Sequence, residues 1–95
     1  MRVKVRFSPA AARYVEEGRW HASQRLTRQS DGSLVAELHL SVTEEIKRWV
    51  LGFGKEAEVL EPEELRKEMA QELQTLLSQY RASEEPRARR TRIRD

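Results

Sequence analysis

The chain contains no cysteine and no asparagine, and only two histidines among its 95 residues. Without cysteine there is no disulfide framework, no thiolate nucleophile and no thiolate metal site. His21 and His39 have no second histidine or cysteine at a ligand spacing, so no metal and no cofactor are expected. Long apolar runs are also missing: nothing approaches the roughly 20 residues needed to cross a bilayer. The opening MRVKVRFSP alternates charged and apolar side chains and lacks the continuous apolar core of a secretory signal. These absences predict a soluble, cytoplasmic protein with no membrane partner. A chain of this length has room for one modest core.

Charge is plentiful but balanced. Residues 1–82 hold 13 basic and 13 acidic side chains, whereas SEEPRARRTRIRD, residues 83–95, holds five arginines against three acids, which accounts for the formal net charge of +2. The sequence thus divides into a domain over 1–82 and a basic tail over 83–95 that is expected to stay flexible, having almost nothing apolar to bury. Residues 1–35 carry seven basic and three acidic groups, and 36–82 carry six and ten, so the domain is polarised rather than basic.

Val3, Val5 and Phe7 alternate with Arg2, Lys4 and Arg6, a period of two that predicts a strand with one apolar and one cationic face. Ser8 before Pro9 suits the start of a helix that Ala11, Tyr14 and Val15 continue toward Gly18. Asp31-Gly32 between WHASQRLTRQ and LVAELHLSV is a hairpin signal. Thr43 is placed to cap a second helix, running to about Leu51, with Glu44 and Glu45 in its first turn. EAEVLE reads as a fourth strand, and Pro62 opens a last helix striped by Leu65, Met69, Leu73, Leu76, Leu77 and Tyr80. The order βαββαβα predicts an α+β fold: a ferredoxin-like βαββαβ sandwich with an additional C-terminal helix. Trp49, Phe53, Val5, Phe7, Leu38 and Leu40 are expected between its layers.

Gly52-Phe53-Gly54 follows a helix and precedes a strand, the reverse of the order in which glycines cradle phosphate. Gly52 is therefore expected to close the second helix as a left-handed residue, with Phe53 folding back on the last turn. The same stretch takes part in a wider likeness. Residues 3–80 carry a strand ending Phe-Ser-Pro, the segment Trp20-His21-Ala22-Ser23-Gln24, the helix end Trp-Val-Leu-Gly-Phe-Gly, and Val-Leu-Glu-Pro-Glu-Glu-Leu leading into the last helix. In this order they resemble the WCX domain, the C-terminal extension of WYL-domain transcriptional regulators. That resemblance implies a ferredoxin-like accessory domain of bacterial regulators whose winged helix binds DNA and whose WYL domain is an Sm-like barrel. It also implies dimerisation and effector sensing. The 95 residues include neither the winged helix nor the barrel, so the chain is expected to be a fragment of such a regulator or a free-standing module, and DNA reading is not implied for it.

No catalytic constellation is legible. Glu16-Glu17, Glu44-Glu45 and Glu63-Glu64 are adjacent on helices and do not face each other. The missing asparagine argues against an acylphosphatase-type enzyme on this scaffold, so the chain is expected not to be an enzyme. The candidate contact surface is the sheet face away from the helices, with Arg2, Lys4 and Arg6 on the first strand, His39 on the third and Arg25 on the second. Cross-strand ion pairs such as Lys4 or Arg6 with Glu37 would make it an ordinary solvated face. Unpaired, it would contact an anionic ligand or single-stranded nucleic acid, or dock another subunit. It has none of the aromatic platforms on which bases stack, so such binding would be weak and without base preference. The expected partners are a second copy or the WYL and winged-helix portion of the same regulator.

Overall fold

A computed structural model of the chain describes residues 1–41 and 43–84; the arginine-rich segment 85–95 lies outside them. The elements are β1 (Arg2–Phe7), α1 (Pro9–Glu17), β2 (Arg25–Arg28), β3 (Leu34–His39), α2 (Glu44–Leu51), a 3-10 turn (Gly54–Glu56), β4 (Ala57–Glu61) and α3 (Glu63–Glu84). The strands form one antiparallel sheet in the order β2-β3-β1-β4, the ferredoxin-like arrangement with a further helix at its end.

Alternation along β1 buries Val3, Val5 and Phe7, and β3 buries Leu34, Ala36 and Leu38 on the same side. Ala11, Ala12 and Val15 of α1, Ile46 and Val50 of α2, Val59 of β4, and Leu65 and Met69 of α3 complete the core, with Leu40. Trp49 and Phe53 are half-buried rather than enclosed; they pack on the core from its rim. Phe7 meets both edge-on, with ring centroids 5.3 and 5.1 Å away. Trp20 stacks on Trp49 at 4.9 Å.

Local chemistry sets the boundaries. The Ser8 hydroxyl accepts from the Ala11 amide, 3.4 Å away, and caps α1 behind Pro9. The β2–β3 hairpin closes with Gln29 N–H donating to the Ser33 carbonyl at 2.8 Å, and Gly32 takes φ +89° within it. That matches a three-residue loop whose last position is left-handed. β2 is shorter than WHASQRLTRQ suggests. The Ser23 hydroxyl, not its backbone, bridges to β3, accepting from His39 N–H at 2.9 Å, while Gln24 turns its amide oxygen back to Trp20 N–H at 2.8 Å. Thr43 makes no side-chain cap; its carbonyl accepts from Lys47 N–H in the ordinary helical way.

The end of α2 differs from the sequence reading. Gly52 stays right-handed, at φ −65° and ψ −19°, and the left-handed residue is Gly54, at φ +61°. Phe53 N–H donates to the Val50 carbonyl at 3.0 Å, so the helix tightens for one more step before it turns. The delay carries the Phe53 ring onto Phe7 and Trp49.

Candidate functional site

Two surfaces are candidates: the open sheet face and the far half of α3. On the sheet, register places Arg2 opposite His39, Lys4 opposite Glu37 and Arg6 opposite Val35. Arg25 faces Glu37 from the other side and Thr27 faces Val35. The five residues singled out in the sequence therefore lie on one face of three adjacent strands. β4 adds acids that alternation alone does not place there. Between Lys4 and Val5 the pairing slips: Val5 sits opposite Val59 but Lys4 opposite Glu61. The extra residue, Leu60, makes a bulge that re-aims the strand end.

These acids decide the electrostatics. Arg2 binds Glu61 at 3.2 Å and Glu37 at 3.6 Å, and His39 Nε2 lies 3.6 Å from the same Glu37 carboxylate. Arg6 reaches Asp31 of the hairpin at 3.3 Å. Glu37 therefore pairs diagonally with Arg2, not with Lys4 or Arg6. Asp31 is held below the usual carboxylate range first by hydrogen bonds from the Ser33 hydroxyl and amide, with Arg6 adding to them. Glu58 is taken by Arg66 of α3 at 3.1 Å, and Arg66 also donates to the Val59 carbonyl at 2.7 Å, covering part of the open β4 edge. Among the described residues, Lys4 and Arg25 of this face have no carboxylate within 4.0 Å and no hydrogen-bonding partner for their side chains.

Among the described residues, His21 and Ser23 form the one arrangement with a catalytic look, Nδ1 and Oγ being 2.8 Å apart. The Ser23 hydroxyl is committed elsewhere: it accepts from His39 N–H and lies 3.3 Å from the His39 carbonyl, and the Ser23 amide donates to His21 Nδ1 at 3.1 Å. The pair ties the loop before β2 to β3. No group of three or more potential metal-ligating side chains occurs among the described residues, and no helix among them is long and apolar enough to cross a membrane.

The second surface follows from the length of α3. Leu65 and Met69 are buried in the core, and Lys47 of α2 bridges to Glu68 at 3.3 Å. Its hydrogen bond to Glu68 raises the Lys47 pKa above its usual value. Beyond Met69 the burial stops. Every residue from Ala70 to Ala82 is exposed, a stretch of about 20 Å at 1.5 Å per residue. Leu73, Leu76 and Leu77 are 46%, 41% and 49% exposed on the stripe that Leu65 and Met69 begin. An open groove of about 630 Å³ runs beside Leu76, lined also by Lys47, Leu51, Glu68 and Glu72 among others.

A family model for the WCX domain matches residues 1–77. The chain belongs to the WCX domain family. A comparison with curated proteins finds no match. The matched region of this WCX domain takes in the whole sheet, α1, α2 and α3 as far as Leu77, so it covers the open sheet face and the far half of α3 up to that residue.

Proposed function

We propose that this WCX domain is a non-catalytic regulatory module of a WYL-type bacterial transcriptional regulator and that it joins two copies of the chain through the far half of α3. The observation that carries the reading is the leucine stripe running off the body of the domain. Leu73 and Leu76 continue the spacing of Met69 at steps of four and three, the seam of an antiparallel or parallel helix pair. Charge favours the antiparallel arrangement. Residues 63–73 carry four glutamates against Arg66 and Lys67, whereas residues 74–82 carry only Arg81. Opposed helices set the acidic half of one against the basic end of the other.

Magnitudes point to a weak pair. Three half-exposed leucines from each copy offer on the order of 6 kcal/mol in all, at about 1 kcal/mol apiece for the half of each side chain still to be buried. Association itself costs roughly 4–15 kcal/mol. The isolated domain should therefore associate only at high concentration, and the remaining domains of a regulator would strengthen the pair by raising the effective concentration. Sedimentation equilibrium tests this: the weight-average mass should climb from monomer toward dimer across the upper micromolar range, and Leu76→Ser should hold it at monomer. A wild-type chain that stays monomeric at about 500 μM overturns the reading. Single-stranded nucleic acid is the less favoured partner, because two of the three β1 cations, Arg2 and Arg6, already face carboxylates.

A further inference from the structure

We infer that the open sheet face holds a binding site for one phosphoryl group, gripped by Lys4 and Arg25. The inference is independent of association through α3 and rests on which charges of the face are already satisfied. Glu37 and Glu61 are engaged by Arg2, Asp31 by Arg6 and Glu58 by Arg66. The two cations left over are not scattered. Lys4 and Arg25 both stand in register with Glu37, one on each side of it, with their backbones two strand spacings, about 9.5 Å, apart. Glu37 would be their natural partner, but its carboxylate is turned toward Arg2 and His39. That leaves the space between two long cationic side chains to an anion from solution.

The surroundings say what kind of anion. Lys4 and Arg25 line an open depression of about 700 Å³ together with Thr27, Val35 and Leu60, and with Glu37 and Glu61, whose carboxylates are engaged by Arg2. Val35 and Leu60 are half-buried and offer an apolar floor, and Thr27 supplies a hydroxyl beside it. A phosphate monoester carries about 1.5 to 2 negative charges at neutral pH, which matches two unpaired cations where a carboxylate would match one. The arginine fork and the lysine point charge are both groups that phosphate accepts. The ligand class is thus a small phosphorylated molecule with an apolar or planar body to rest on Val35 and Leu60. Two phosphate contacts on a single strand would give a salt slope of only about −1.4, so a strand-tracking surface would show itself by a steeper one.

The test is an NMR titration of the isotopically labelled full chain at low ionic strength, with inorganic phosphate and adenosine 5′-monophosphate as probes. Saturable shifts should centre on Lys4, Arg25, Thr27 and Val35, and the nucleotide should bind more tightly than phosphate. Lys4→Gln and Arg25→Gln should each weaken binding about twofold to fivefold, the worth of an exposed charge contact. Arg13→Gln, on α1 and off the sheet, should leave it unchanged. None of the three variants removes a side-chain hydrogen bond or ion pair among the described residues, and an unshifted thermal midpoint would confirm that the fold is intact. Linear shifts that do not saturate, or shifts spread equally over exposed cations elsewhere such as Arg13 and Lys67, overturn the proposal. So does a labelled oligodeoxythymidine whose binding falls with salt more steeply than about −1.4.

Discussion

Phe7→Ala tests the packing on which both candidate surfaces depend. Phe7 is fully buried on the central strand β1, and its ring meets Trp49 and Phe53 edge-on at 5.3 and 5.1 Å. Truncation removes the buried ring and leaves a cavity between the sheet and the end of α2, which costs about 3–5 kcal/mol. A domain of this size has roughly 5–15 kcal/mol in total, so the variant should lose about a fifth or more of its stability and at least about 12 °C in Tm. Phe7→Leu keeps most of the apolar volume but not the ring contacts. It should cost roughly 1–3 kcal/mol, the worth of two edge-to-face pairs. Urea unfolding followed by far-ultraviolet circular dichroism gives the difference directly, and tryptophan fluorescence reports whether the Trp20–Trp49 stack loosens at the same denaturant concentration. A loss below about 1 kcal/mol for Phe7→Ala, at unchanged slope, would refute the placement of Phe7 as the link between the layers.

Two other substitutions probe local devices. Gly54→Ala forces a side chain into φ +61° and should cost about 1 kcal/mol in urea unfolding; a neutral result would mean that the turn before β4 is not left-handed. Asp31 has its pKa lowered in the folded chain, so its stabilising contribution is complete above the ordinary value of 3.8 and is lost as pH falls through the lower folded value. The stability gap between wild type and Asp31→Asn should hold steady at neutral pH and narrow in acid, and a gap constant down to the acid limit of folding would contradict the hairpin network.

The sequence reading reaches the architecture because each element carries its own signal. Period two in β1, Ser8-Pro9 before α1, Asp31-Gly32 in the hairpin and the long stripe of α3 are local features, and the sheet order follows from the βαββαβ succession. Its misses are cases where a distant contact decides. β2 starts late because the Ser23 hydroxyl stands in for a backbone rung to His39, which no propensity encodes. The left-handed residue is Gly54 and not Gly52, and the Phe53 ring between them packs on Phe7 and Trp49. The cations of the candidate face are legible as a row, but their partners are not. Glu61 reaches the face through a bulge at Leu60, and Asp31 and Arg66 come from a loop and a helix whose positions depend on the assembled fold.

The far half of α3 raises a physical problem that the proposed pairing answers. Its first turns are fixed by Leu65, Met69, the Lys47–Glu68 bridge and the Arg66–Val59 hydrogen bond. The 13 residues from Ala70 to Ala82 are all exposed, and isolated helices of about that length are marginal in water. The anchored turns serve as a nucleus for the extension, but it should open far more readily than the part against the core. Pairing with a second copy would remove that difference by burying Leu73, Leu76 and Leu77. Amide hydrogen exchange should therefore be fast over residues 73–82 in dilute solution and slow over 65–70. Protection of 73–82 should grow with protein concentration in step with the sedimentation mass, and Leu76→Ser should abolish the growth without altering 65–70. Exchange over 73–82 that stays equally fast at every concentration, in a sample that sediments as a dimer, would place the interface elsewhere on the domain and leave the extension of α3 without that role.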